Sequence, residues 1–411
     1  MKDYQLIFIN GTPLSDSLFD SHIITYLKEL QKAGRGADIL LSLTEDADAE
    51  SEPCRHSRER LKEIPGLNVI FLKQTPMKKG FRPLMKNLSS TLTRIKMDHP
   101  RIIFHANSYL TGYILLRVLG SERKQKVIVD FKGILPQECL HYDPVILPMR
   151  VLRYLLALYM QRHICAGADA LTVVSQAFKT HLAGCHDLNP DRIHVVPSCV
   201  DTEIFRYDPE IRTQIRKNLG LGDACVILYN GSLRKWQLPE QMFAFFKTIL
   251  QKKRDMRFLF LTSETDKARQ YFTDSGIPGE RFHVIRALGR DLAGYLMAGD
   301  VGLLLRKQDL VNHVASPTKF AEYLGCGLPV LCTDGIGDIS SLVRAENLGW
   351  IMKDPFSRVE REEILEQINK APREFLSDGE RSRRFQIALR EFSWNNRIPR
   401  LLELYEKLVR T

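Results

Sequence analysis

"DVGLLLRKQDLVNHVASPTKFAEYLGCGLPVLCTDG", residues 300–335, holds two short apolar runs with a bounded helix between them. The first run is "DVGLLL" from Asp300, the second "PVLCTD" from Pro329. Between them Ser316 suits an N-cap and Pro317 the first helical position. Phe320, Tyr323 and Leu324 follow at helical spacing, Gly327 fits the left-handed position past a helix end, and Pro329 stops further helix. Continuous apolar runs suit strands buried on both faces, and helices between them imply crossovers in a parallel sheet.

The same unit recurs on both sides of this stretch. In the first half, runs begin at Leu6, Ala37, Asn68, Arg101, Lys126, Ala170 and Ile193; in the second, at Cys225, Arg257, Phe282, Asp300 and Pro329. With 411 residues, the chain suits two domains better than one core. The expected fold is α/β, two doubly wound, Rossmann-like domains with parallel sheets: residues 1–205, then 206–390. Proline and acidic residues interrupt the pattern near Val195–Glu210, where the junction is expected. Residues 391–411 read as an amphipathic helix with Leu401, Leu402, Leu404, Tyr405 and Leu408 on its apolar stripe, able to pack on either domain. Ligands of open α/β sheets bind outside the C-terminal ends of strands, here at a cleft between the domains.

Composition narrows the chemistry. The chain is 44% hydrophobic and 26% charged, with a net charge of +10. That balance favours anionic partners: a phosphorylated ligand, nucleic acid or an anionic membrane surface. Nucleic acid is disfavoured because the charge is spread out with no recognised binding module. The eight cysteines form no C-x-x-C, no histidine pair has zinc spacing, and no metal is expected. No window offers the ~20 uncharged apolar residues of a membrane span. The start "MKDYQLIFINGTPLSDS" is too weakly apolar for a signal peptide. A cytoplasmic protein is expected.

The helix after Ser316 carries an anomaly. Lys319 lies in its first turn, where the helix dipole favours an acid. A phosphate in front of Ser316, Pro317 and Thr318 reverses that penalty, since lysine and helix N–H groups then act on one anion. Glu322, one turn on, shares a face with Lys319 and has the acceptors for a diol such as a ribose. The plain alternative is a Lys319–Glu322 surface ion pair.

Further candidates sit at strand ends. In "YNGSLRKWQLPEQ", from Tyr229, the small residues Gly231 and Ser232 let backbone approach a phosphate, with Arg234 and Lys235 next. Arg306 follows the run "DVGLLL". In the first half, "HANSYLTG" and "VDFKGILPQE" place His105, Asp130, Lys132 and Glu138 where an acceptor hydroxyl could be positioned; a lone strand-end histidine is more often structural. The opening loop Asn10–Ser21 is a further substrate-contact candidate. Two basic amphipathic segments, Pro83–Met97 (with Lys86, Arg94 and Lys96) and Ile146–His163 (with Arg150, Arg153 and Arg162), suit either a membrane interface or the core with snorkelling arginines.

The chain resembles the GT-B glycosyltransferases, specifically the family 4 retaining enzymes. "SPTKFAEYLGCGLPVL" looks like the donor-site helix of their Ser-Pro-x-Lys branch, and "YNGSL" like their Gly-Ser-Leu turn. "ADALTVVSQAFKTHL", "HVVPSCVDTEIF" and "AGYLMAGDVGLLLRK" resemble other segments of the family, so that the likeness covers nearly the whole chain. The resemblance implies a nucleotide-sugar donor in the second domain and an acceptor in the first. Glu322 would hold the ribose hydroxyls; Lys319 and the helix N-terminus would hold the diphosphate. Many members carry a Glu-x7-Glu pattern whose first glutamate contacts the donor sugar; Val314 stands there in this chain, leaving Asn312 or His313 to replace it. Ser232 and Gln237 stand where members carry an arginine and a lysine, so Arg234 or Lys235 must substitute. The family's N-terminal histidine has no clear match; "VDFKG" occupies its neighbourhood.

The expected activity is therefore sugar transfer, as a retaining hexosyltransferase in polysaccharide or glycolipid assembly. The donor is a nucleotide diphosphate sugar and the acceptor a glycan or lipid-linked hydroxyl, without a cofactor. Lys319, Arg234, Arg306, Asp130 and His105 are the catalytic candidates. Gly231, Ser232, Lys235, Ser316, Pro317, Thr318 and Glu322 are the binding candidates. A peripheral contact with an anionic membrane at the inner face is expected. The rivals are a nucleotide-sugar epimerase of the same architecture and a non-catalytic GT-B-like binding module. A dinucleotide dehydrogenase is disfavoured because no G-x-G-x-x-G follows a strand.

Overall fold

A computed structural model describes residues 3–16, 19–43, 51–72, 80–95, 99–252 and 255–410. Lys96 and part of the opening loop, residues 17 and 18, lie outside these. The chain divides into two compact units: residues 1–197 with 394–411, and residues 198–393.

In the first unit, β1 (Gln5–Asn10), β2 (Ile39–Ser42), β3 (Asn68–Phe71), β4 (Ile102–Ala106), β5 (Lys126–Phe131), β6 (Ala170–Val173) and β7 (Ile193–Val195) form one sheet. Its order is β3-β2-β1-β4-β5-β6-β7, and all its pairings are parallel. The registers Phe8↔His105↔Ile128 and Asp130↔Thr172 place His105, Asp130 and Thr172 on the central strands. The last helix, Trp394–Arg410, belongs to this unit and buries Trp394, Ile398, Leu401, Leu404 and Tyr405.

In the second unit, β8 (Cys225–Asn230), β9 (Met256–Leu261), β10 (Phe282–Ile285), β11 (Val301–Leu304), β12 (Val330–Thr333) and β13 (Gly349–Met352) form a parallel sheet ordered β10-β9-β8-β11-β12-β13. Its central strands are buried on both faces, as their continuous apolar runs require. Along β8, Val226 and Leu228 enter one core and Ile227 and Tyr229 the other. Both units thus have the alternating strand–helix order expected of doubly wound domains.

Two expectations about helices change. The helix after Ser316 runs Thr318–Gly325, with Pro317 at the cap position in extended conformation and no side-chain cap. The Ser316 hydroxyl instead accepts from the Ser198 N–H at 3.2 Å, so a partner distant in sequence takes the cap away. The two basic amphipathic segments also separate. Helix Arg82–Arg94 buries Leu84, Leu88 and Leu92, so that segment is core. Helix Leu147–Gly167 leaves most of its large apolar side chains exposed.

Candidate functional site

Most of the residues singled out in the second half meet at the end of β8. Gly231 follows the strand at φ +135°, a conformation that favours glycine. A Cβ there would lie 2.7 Å from the Lys319 Nζ, so the missing side chain also makes room for the amine. Lys319 is buried; its Nζ lies 4.3 Å from the centroid of the Tyr229 ring and donates to Gln237 Oε1 at 2.9 Å. One turn on, Glu322 Oε2 accepts from Asn230 Nδ2 at 2.7 Å. Tyr323 ties the helix to two strands: its hydroxyl accepts from the Asn230 N–H at 2.9 Å and donates to the Leu303 carbonyl at 3.1 Å. The helix, the turn and the short 3-10 segment Lys235–Gln237 therefore hold Lys319 and Glu322 from three sides.

Arg306 reaches the same neighbourhood from the end of β11. Its N–H donates to Thr333 Oγ1, and its carbonyl accepts from that hydroxyl, each at 2.9 Å. Its guanidinium donates to Asn312 Oδ1 at 3.3 Å. Arg234 and Lys235 are exposed on the turn, with Arg234 over the Trp236 ring at 5.1 Å. Ser232 is half-buried beside Gly231, and its carbonyl accepts from the Tyr229 hydroxyl. Ser316, Pro317 and Thr318 lead into the helix, with Pro317 buried and its neighbours half-buried.

The electrostatics of this cluster are unbalanced. Burial drives the Lys319 amine well below the usual lysine range, Arg306 pushes it further, and only Glu322 opposes. Burial pushes the Glu322 carboxyl up to about 7, against the pull of Lys319 and the Asn230 hydrogen bond. Glu322 keeps some exposed surface, so water moderates that shift. Two basic side chains and a carboxyl beside a small-residue turn suit a ligand that carries both an anion and hydroxyl donors.

The position of Val314 is fully buried at the end of the short helix Leu310–His313. Asn312 is buried and engaged with Asp309 and Arg306, whereas His313 is exposed.

The two first-half catalytic candidates lie in the other unit. His105 is buried on β4, and its Nδ1 is 2.6 Å from the Tyr405 hydroxyl. Burial lowers its pKa to about 4, with Asp130 opposing, so it is neutral near pH 7. Asp130 pairs with Lys132 at 2.6 Å. His105, Asp130, Lys132 and Thr172 line one small cavity with Trp394 and Leu401. Glu138 is turned against Gly133, where an added Cβ would lie 2.2 Å from its Oε1.

Residues 20–204 match the model of Glycosyltransferase Family 4. Over 98% of this chain and 99% of the other, the fold superposes on sucrose-phosphate synthase from Thermosynechococcus elongatus with a TM-score of 0.72 at 16% identity. The fold is GT-B, and the family 4 match lies in its first half. The chain also superposes on Anabaena HepE, solved in complex with UDP-glucose, with a TM-score of 0.67 at 16% identity over 97% and 99% of the two chains. Among curated relatives, it is 25% identical over 259 residues to D-inositol 3-phosphate glycosyltransferase 1 of Catenulispora acidiphila, covering 60% of this chain and 59% of that one. The chain thus spans about three fifths of the length of the curated relatives it matches first.

The family match ends at residue 204, before the site around Lys319. Within that site the sequence does not single out Asn230 or Tyr229, shows Tyr323 only as part of the helix's apolar spacing, and marks Gln237 only as a departure from a pattern. Asn230 directly precedes Gly231 and Tyr323 directly follows Glu322, but nothing local shows that they bond to each other.

Proposed function

We propose that this chain transfers a sugar from a nucleotide diphosphate sugar to an acceptor hydroxyl. One observation carries the reading: Lys319 is buried against Gly231 and hydrogen-bonded to a neutral amide, with the Arg306 cation also acting on it. A buried ammonium costs several kcal/mol unless paired, and a diphosphate in front of the turn would pair both cations. Glu322 then takes the ribose hydroxyls as acceptor. The relatives named D-inositol 3-phosphate glycosyltransferase and the family match support the reaction class.

The mechanism proposed is retaining, front-side transfer of a hexose. Lys319, Arg306 and an exposed cation of the turn, Arg234 or Lys235, stabilise the leaving diphosphate. These cations supply the positive charge, so the reaction is proposed to need no resident metal. Asp130 is a candidate for orienting the acceptor. His105 is the weaker one, being buried, neutral and held by Tyr405. The acceptor is proposed to be a glycan or a lipid-linked hydroxyl, reached in peripheral contact with an anionic membrane. No described helix is long and apolar enough to cross one.

Calorimetry with UDP and other nucleoside diphosphates tests the donor site. Lys319→Ala should abolish detectable diphosphate binding, and Glu322→Ala should weaken it at least ten-fold. Undiminished binding by both variants sinks the assignment. Incubating the donor alone separates transfer from epimerisation, since an epimerase changes the sugar without an acceptor. Anomeric analysis of the product tests retention.

A further inference from the structure

We propose that helix Leu147–Gly167 docks the first unit on an anionic membrane surface. The proposal deepens the peripheral-membrane part of the reading above and does not depend on the donor site. Twelve large apolar side chains are exposed among the described residues, and eight of them fall between Ile146 and Tyr159. Ile146 is 74% exposed, Leu147 64%, Leu152 59% and Leu155 55%. A soluble surface scatters such residues singly; a contiguous patch marks an interaction site.

The helix has two faces. Ala157, Met160, Gln161 and Ile164 are buried. Leu152, Leu155, Leu156 and Tyr159, spaced by three and four residues, form a stripe on the exposed side. Tyr159 adds a ring with a polar tip, a side chain suited to the boundary between hydrocarbon and water. The other basic amphipathic segment lacks this property, since helix Arg82–Arg94 turns its leucines into the core.

Charge selects the occupant. Residues 144–168 contain Arg150, Arg153 and Arg162 and no carboxylate. Arg153 is paired with Asp143, which precedes the helix. Arg150 donates its Nε to the Val145 carbonyl, and Arg162 is exposed. A second copy seated on this face would bring arginines against arginines with no acid in the stretch to answer them. Anionic headgroups answer them, while the leucines enter the acyl boundary.

Sedimentation of the full chain with vesicles tests the proposal. The protein should bind phosphatidylglycerol vesicles at low salt, bind phosphatidylcholine vesicles at least ten-fold more weakly, and lose binding as salt rises. The double variant Leu152→Glu, Leu155→Glu should lose at least ten-fold in partitioning, and Arg162→Gln about five-fold. All four residues that define the stripe are exposed or at its rim, so circular dichroism and melting temperature should not change. Calorimetry with UDP and other nucleoside diphosphates on the same proteins reads the donor site separately: binding of none of them would sink the sugar-transfer reading and leave the vesicle result standing. Three results overturn the docking proposal: no vesicle binding, binding unaffected by the double variant, or equal binding to neutral vesicles. Light scattering that shows a dimer dissolved by the double variant, without vesicle binding, also overturns it in favour of a second copy.

Discussion

Lys319 costs the ligand-free protein stability, because a buried amine meets a neutral amide and a neighbouring arginine rather than a phosphate. Lys319→Met keeps the aliphatic stem and removes the charge. It should raise the melting temperature without ligand, by about 1 kcal/mol in stability, while abolishing diphosphate binding. A variant both less stable and unable to bind would show that the amine serves the fold rather than a ligand. Glu322 gives a second handle. Its carboxyl titrates near 7, against an ordinary value of 4.5, so the folded chain prefers the protonated form and stability from this group falls as pH rises across that window. The ionised form is the stronger acceptor of hydroxyl donors, so UDP affinity should rise between pH 6 and 8. Glu322→Gln should bind more weakly and lose that slope; an unchanged slope would assign the titration elsewhere. The sequence made this pair legible, since one helical turn places both on a face. Gln237 and Asn230 were not legible as their partners, because no periodicity encodes hydrogen bonds across 82 and 92 positions.

Elements were read more completely than contacts. Every apolar run named in the sequence became a strand, because strands buried on both faces need unbroken apolar stretches and these have them. The exception is β13, Gly349–Met352. It opens on a glycine, alternates half-buried and buried residues, and pairs on one side only, so it lacks the continuous run that marks a central strand. The helix after Ser316 was placed correctly at its end, where Gly327 takes φ +76°, and one residue early at its start. Asp300, at the entry to β11, shows how elements are tied together. Burial alone would raise its carboxyl, but Arg212, Arg381 and Arg216 outweigh burial and hold it below the usual range. Arg212 bonds it at 2.6 Å, Arg381 at 3.0 Å and Arg216 at 3.1 Å, and the Val226 N–H at 2.9 Å links it to β8. Asp300→Ala leaves three arginines around an apolar methyl, Arg381 among them fully buried. A loss of about 3–5 kcal/mol is expected in denaturant unfolding of the second unit. A loss below about 1 kcal/mol would mean that the arginines find other partners at once.

At the scale of the whole molecule, the chain leaves the first unit at Pro197 and returns to it at Trp394. The composition of residues 391–411 predicted an amphipathic helix but not its partner, since an apolar stripe says how much surface it needs covered and not which surface covers it. Packing decides the matter: Tyr405 is fully buried in the first unit, bonded to His105 and to the Tyr26 hydroxyl. The last residues of the sequence therefore complete the unit that the first residues begin. Two compact units should melt as two transitions, each answering its own perturbation. Tyr405→Ala removes a buried ring and its hydrogen bonds to His105 and the Tyr26 hydroxyl, so the first unit should lose about 3–5 kcal/mol. Saturating UDP, at about 100 times its Kd, should protect the other transition by roughly 2.7 kcal/mol. Calorimetric scans of wild type and Tyr405→Ala, with and without UDP, separate the two effects. The variant should shift one transition and keep its UDP affinity, because the donor-site residues, from Tyr229 to Tyr323, belong to the second unit and Tyr405 to the first. If Tyr405→Ala weakened UDP binding as much as it weakened the fold, the donor site could not belong to the second unit alone.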